Sequence, residues 1–200
     1  RAIAGLTVAL SFAVSAQEEC ECIWRGSFTD VQGDTELVVA ATVLSHKGNS
    51  IDLEINRILR GDEPPPPLRV WLKTADYCRP EVSEFPVDSR WVFALYRINE
   101  SVPGGFNPGT PNLSYGRIDD YQLSSCGGYW LREAGDRVTG NLVGAPRWVR
   151  EPKMNPVLLD LVAAFVAGEI GPEALLAASQ EDPALKELML DTRSFLRGGD

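Results

Sequence analysis

Cys20-Glu21-Cys22 sets two cysteines one residue apart, and the only others, Cys78 and Cys126, lie far downstream. In an exported chain an even cysteine count reads as a disulfide framework, here of two bridges. A bridge between Cys20 and Cys22 is the poorest of the three connectivities. In an extended segment residues i and i+2 point the same way, with Cα atoms near the upper limit of bridge geometry. Two long-range bridges remain, so the start of the domain is expected to be fastened at two places on whatever sheet the rest of the chain builds.

Export is read from the residues ahead of that stretch. Residues 1–16 hold one basic residue and no acidic one, residues 3–14 are an apolar run, and Val14-Ser15-Ala16 offers small residues for cleavage. That is the layout of a secretory signal peptide. The run is shorter than the roughly 20 residues a bilayer span needs. The mature product is therefore expected to be extracytoplasmic, either secreted or periplasmic, with no membrane span. The chain of 200 residues is 44% hydrophobic and 24% charged, which suits one globular domain. Its formal net charge of -9 repels phosphate backbones and excludes nucleic acid as an expected partner.

Downstream of the cysteine pair the hydrophobic period is that of strands. Residues 36–44 (ELVVAATVL) are apolar on both faces and read as a buried strand, followed by a turn cluster over residues 45–49. Ile51, Leu53 and Ile55 alternate with Asp52, Glu54 and Asn56 as a half-exposed strand, and the alternation slips at Arg57-Ile58-Leu59, the mark of a bulge or strand end. The run GDEPPPP at 61–67 must be a stiff connector, since proline cannot donate to a ladder. Leu68, Val70 and Leu72 alternate in the next strand, and residues 89–98 (SRWVFALYRI) form the strongest and most central one. Residues 99–116 are a long Gly-, Pro- and Asn-rich loop, with glycosylation-type triplets at Asn99 and Asn112. Residues 129–132 and 137–142 flank a hairpin signal at Glu133-Ala134-Gly135-Asp136. From residue 155 the period becomes helical, with a stripe of Val157, Leu158, Leu161, Val162, Phe165 and Val166. Pro172 suits the first turn of a second helix, and Asp182-Pro183 opens a last one. The expected fold is mainly β: an OB-like Greek-key barrel of about five to six strands over residues 17–150, with an α-helical extension over 151–200.

Taken in order, Cys20-Glu21-Cys22, the strand at 37–44, Ile58-Leu59-Arg60-Gly61, the strand before Cys78, Trp91-Val92-Phe93-Ala94-Leu95-Tyr96 and Ser125-Cys126-Gly127 resemble the netrin-like superfamily, which includes the tissue inhibitors of metalloproteinases. The resemblance covers about residues 20–130. It implies the pairs Cys20–Cys78 and Cys22–Cys126, and a partner-binding ridge made by Cys20, Glu21, Cys22, Ile23 and Trp24. The family's third disulfide and its second inhibitor domain have no counterpart in this chain. In the inhibitors the free amine of the first cysteine chelates the protease zinc and the next side chain enters the specificity pocket. Here Gln17-Glu18-Glu19 precede Cys20, and the pocket residue would be the charged Glu21. Inhibition of an extracytoplasmic protease would need a further cleavage that exposes Cys20, which leaves a protein-binding module as the primary expectation.

Catalytic and cofactor chemistry is not signalled. The single histidine, His46, cannot build a His-rich metal site and has no nucleophile near it in sequence. Asp30, Asp34 and Glu36 fit no calcium-loop spacing and read as a solvated turn. Facing carboxylates for a small hydrolase, with Asp119-Asp120 among the candidates, cannot be paired by sequence. The expectation is a protein partner, no cofactor, no metal and no catalytic residue.

Overall fold

The computed structural model describes residues 20–74, 77–100, 115–144 and 152–180. The leader, Gln17-Glu18-Glu19, most of the 99–116 loop, the Asn112 triplet, Trp148 and the last helix lie outside those residues. Five strands make the barrel: β1 (Leu37–Lys47), β2 (Ser50–Arg60), β3 (Leu68–Trp71), β4 (Arg90–Arg97) and β5 (Tyr121–Gln122). β1 pairs antiparallel with β2, and β2 with β3. β3 then runs parallel to β5, which pairs antiparallel with β4, and β4 returns to β1 and closes the ring. The chain is mainly β, an OB-like barrel with short C-terminal helices, as its periodicity predicts.

Closing so few strands demands strong bending, and the β1–β2 pair supplies it. Its register shifts three times, between Val38 and Val39, between Ala40 and Ala41, and between Val43 and Ser45. The first shift leaves Leu59 as an extra residue, since Val38 faces Arg60 while Val39 faces Ile58. That bulge sits where the alternation of β2 slips in the sequence. An extra residue on one strand raises the local twist, which lets β1 meet β2 on one edge and β4 on the other.

Within β1 and β2 the local expectations need correction. The turn expected over residues 45–49 is only Gly48-Asn49, and His46 lies on β1, because β1 and β2 stay paired down to Lys47 and Ser50. Asp52, expected on a solvated strand face, is 3% exposed. It is covered by Arg69, at 2.7 and 3.0 Å, and by Lys47 at 2.8 Å. Neutralised from two sides, the carboxylate tolerates a site that alternation alone would give to water.

Outside the ring, β6 (Trp130–Ala134) pairs with the first half of β4, β7 (Arg137–Gly140) completes a hairpin, and β8 (Val157–Leu158) adds to β7. The helical stripe expected from Val157 therefore begins one element late: its first two residues extend the sheet, and α2 (Leu159–Val166) follows. Pro172 opens α3 (Pro172–Ser179) at its first turn, as expected. Val157, Val162, Val166 and Leu175 join the same buried cluster as the barrel residues, so these elements pack on the barrel core. A short helix absent from the sequence reading, α1 (Phe28–Val31), plugs Phe28 and Val31 into that cluster. Among the described residues no helix is long and apolar enough to cross a membrane.

Candidate partner-binding ridge

The segment leading into α1 is tied down residue by residue. Cys20 is bonded to Cys78 and Cys22 to Cys126, with Cα separations of 5.3 and 5.8 Å. The Arg25 amide donates to the Cys126 carbonyl at 2.8 Å, and the Gly128 amide donates to the Gly26 carbonyl at 2.9 Å. Two glycines make this approach possible. Gly26 sits at φ +125°, a backbone region L side chains rarely enter, and a Cβ on Gly128 would lie 2.7 Å from the Asn141 carbonyl oxygen. The segment then enters α1 through a capping box, in which the Ser27 amide donates to the Asp30 carboxylate at 2.7 Å.

This clamp decides what the ridge shows to solvent. Cys20, Cys22 and Trp24 are half-buried, whereas Glu21 and Ile23 point outward. Ile23 is 83% exposed, the most exposed of the large hydrophobic side chains described. Arg25 stands next to it, donating to Asp34 at 3.0 Å and to the Tyr96 hydroxyl at 3.2 Å. Tyr96 in turn shares a 3.1 Å hydrogen bond with Tyr129. Tyr129 is fully buried, and its pKa is pushed up by that burial and by the bond to Tyr96, so the hydroxyl stays neutral and available for hydrogen bonding.

The other sequence candidates do not converge. The sulfurs of Cys20, Cys22 and Cys78 lie within 4.8 Å of one another, but each is consumed by a disulfide. His46 Nε2 lies 2.8 Å from the Phe85 carbonyl oxygen. Asp30 caps α1, Asp34 takes Arg25, and Glu36 accepts the Arg97 amide at 3.0 Å, so these carboxylates serve three separate partners. Asp119 is held by Arg97 at 2.6 Å and Asp120 by the Trp71 indole at 2.8 Å.

The described residues also form cavities, one of them beside this surface. One of about 290 Å³ adjoins the ridge, walled by Tyr77, Cys78, Arg79, Tyr96, Gln122 and Ser124. Sequence reasoning did not reach it, because its walls come from three separated segments; Arg79 beside Cys78 was the only available hint. A larger cavity of about 520 Å³ lies at the opposite end of β4, between Trp91, Trp130, Arg132 and Lys153. Phe85 meets the rings of Trp91 and Trp130 edge-on, at 5.1 and 5.7 Å, so those indoles also serve as packing. Comparison with protein-family models, with curated proteins and with solved structures returned no match, so the case for a function rests on the ridge and its surroundings.

Proposed function

We propose that the chain is an exported, disulfide-stabilised, netrin-like module that binds a protein partner through the ridge of Cys20, Glu21, Cys22, Ile23 and Trp24. The observation that carries this reading is Ile23, 83% exposed on a backbone held by two disulfides. Binding costs free energy in proportion to the freedom that contacting groups lose, and a clamped segment has little left to lose. A protruding apolar side chain with a charged neighbour, here Arg25, is also the make-up of an interface anchor within a polar rim.

The reading does not invoke catalysis; the two carboxylates named for it have separate partners, Asp119 in Arg97 and Asp120 in the Trp71 indole. It makes a direct demand on Ile23. Full-length chain used as bait in an extracytoplasmic extract should retain a discrete protein, and Ile23→Asp should lose it while melting at the wild-type temperature. Placing a charge at an anchor of this kind should weaken binding about thirtyfold, equivalent to about 2 kcal/mol. Equal retention by both chains would refute the assignment.

A further inference from the structure

Arg79 is 5% exposed, and among the described residues no carboxylate touches it. Its Nη1 donates to the Tyr115 carbonyl at 2.7 Å and its Nη2 to the Gln122 side-chain oxygen at 2.5 Å, both neutral acceptors. The guanidinium carbon lies 4.6 Å from the centre of the Tyr77 ring. Its Nε is buried with no hydrogen-bond partner. A buried cation is expensive unless a counter-charge and its full set of acceptors accompany it, and here both are incomplete. Burial accordingly pulls its pKa down to about 10, which leaves it charged at neutral pH.

Nε itself is sealed from solvent, but the Arg79 side chain lines a cavity. Arg79 lines the pocket of about 290 Å³ together with Tyr77, Tyr96, Gln122 and Ser124. Its wall at Cys78 is disulfide-bonded to Cys20, and Tyr96 accepts from Arg25, so the pocket borders the ridge directly. A volume at the lower end of the range for ligand sites suits a group the size of one residue. We infer that this pocket receives a carboxylate from the protein partner, either an acidic side chain or a chain terminus, which supplies the missing counter-charge to Arg79. A carboxylate accepts the planar N–H groups of a guanidinium in a charge-assisted arrangement that neutral acceptors cannot match. With a formal chain charge of -9, a singly charged carboxylate is repelled less than a phosphate dianion would be.

The identity of the partner rests on the ridge reading, but the pocket can be tested without any partner. The full chain, labelled with 15N, is titrated with N-acetyl-glutamate amide, N-acetyl-alanine and N-acetyl-glutamine amide while the Arg79 Nε–Hε resonance is followed. A saturable shift with either carboxylate, and none with the neutral glutamine compound, is expected; which carboxylate binds identifies side chain or terminus as the source. No shift, or equal shifts from the glutamine compound, overturns the inference. Gln122→Glu provides the second arm, because it keeps the shape of β5 and sets an internal carboxylate beside Arg79 Nη2. It should weaken carboxylate binding about tenfold or more and raise the melting temperature; unchanged binding overturns the proposal. Loss of partner capture in Ile23→Asp together with absent carboxylate binding sinks this inference alone. Carboxylate binding with capture unaffected by Ile23→Asp sinks the ridge reading alone.

Discussion

Glu133 and Arg90 face each other across β6 and β4, with very different surroundings. The Glu133 side chain is fully buried, whereas that of Arg90 is 44% exposed. Burial pushes the Glu133 pKa up, and the nearby Arg90 offsets only part of the shift. A raised folded-state value means the native chain binds this proton more tightly than the unfolded one. Ionised Glu133 therefore detracts from stability at neutral pH, and the deficit disappears as pH falls through the raised value and past the ordinary one of 4.5. The pair should then respond asymmetrically. Arg90→Ala strands a buried charge and should cost about 3 kcal/mol in urea denaturation at pH 7, shrinking toward acid pH, while Glu133→Gln should stay within about 1 kcal/mol. Equal costs would show that the carboxylate is better compensated than its burial implies. Asp52 carries the opposite sign. Burial opposes its charge, but hydrogen bonds from Arg69 and Lys47 outweigh that and hold its pKa low, so its contribution is lost only as pH falls through that lowered value. Neither site was legible in the sequence, where alternation placed Asp52 outside and Glu133 in a turn. The cross-strand partners that decide each case are set by register, which residue order does not display.

At the scale of elements, legibility followed the strength of the local period. The apolar run of β1, the aromatic and β-branched run of β4, and the hairpin of β6 and β7 were all readable. The turn signal at residues 133–136 narrows to Gly135-Asp136, because Glu133 and Ala134 stay paired on β6. The bulge at Leu59 was too, because a slipped alternation is itself the signal of an inserted residue. What failed was short. α1 is four residues long, and β8 is two residues, with a sequence that continues smoothly into the stripe of α2. The ridge was legible as a staple because cysteine count and spacing speak to it, but the glycines that seat it were not. The second bridge, closing 104 residues, should stabilise by roughly 5 kcal/mol on the loop-entropy view, less any structure retained by the reduced chain. Replacing Cys22 and Cys126 together by serine should lower stability toward that limit. It should also speed amide exchange at Arg25 and Gly128, whose hydrogen bonds lie between the two tied segments. Protection at those amides equal to wild type would show that the clamp owes nothing to the bridge.

For the molecule as a whole, barrel, hairpin and C-terminal elements share one buried cluster, and the N-terminal segment is fastened to its surface by covalent bonds. Among the described residues the most exposed large apolar side chain, Ile23, belongs to a ridge that borders a pocket lined by Arg79, which no described carboxylate pairs. The outline of this arrangement was present in the order of strands and cysteines; the pocket was not, since only the closed barrel brings Arg79 to Tyr96 and Gln122. The most direct test places a photo-crosslinking amino acid at position 23 and, as a control, at position 158, where Leu158 is also exposed but belongs to the β8–α2 surface. In an extracytoplasmic extract the account predicts a discrete protein adduct from position 23 and none from position 158. Equal labelling from both positions, or an adduct from position 158 alone, would contradict it.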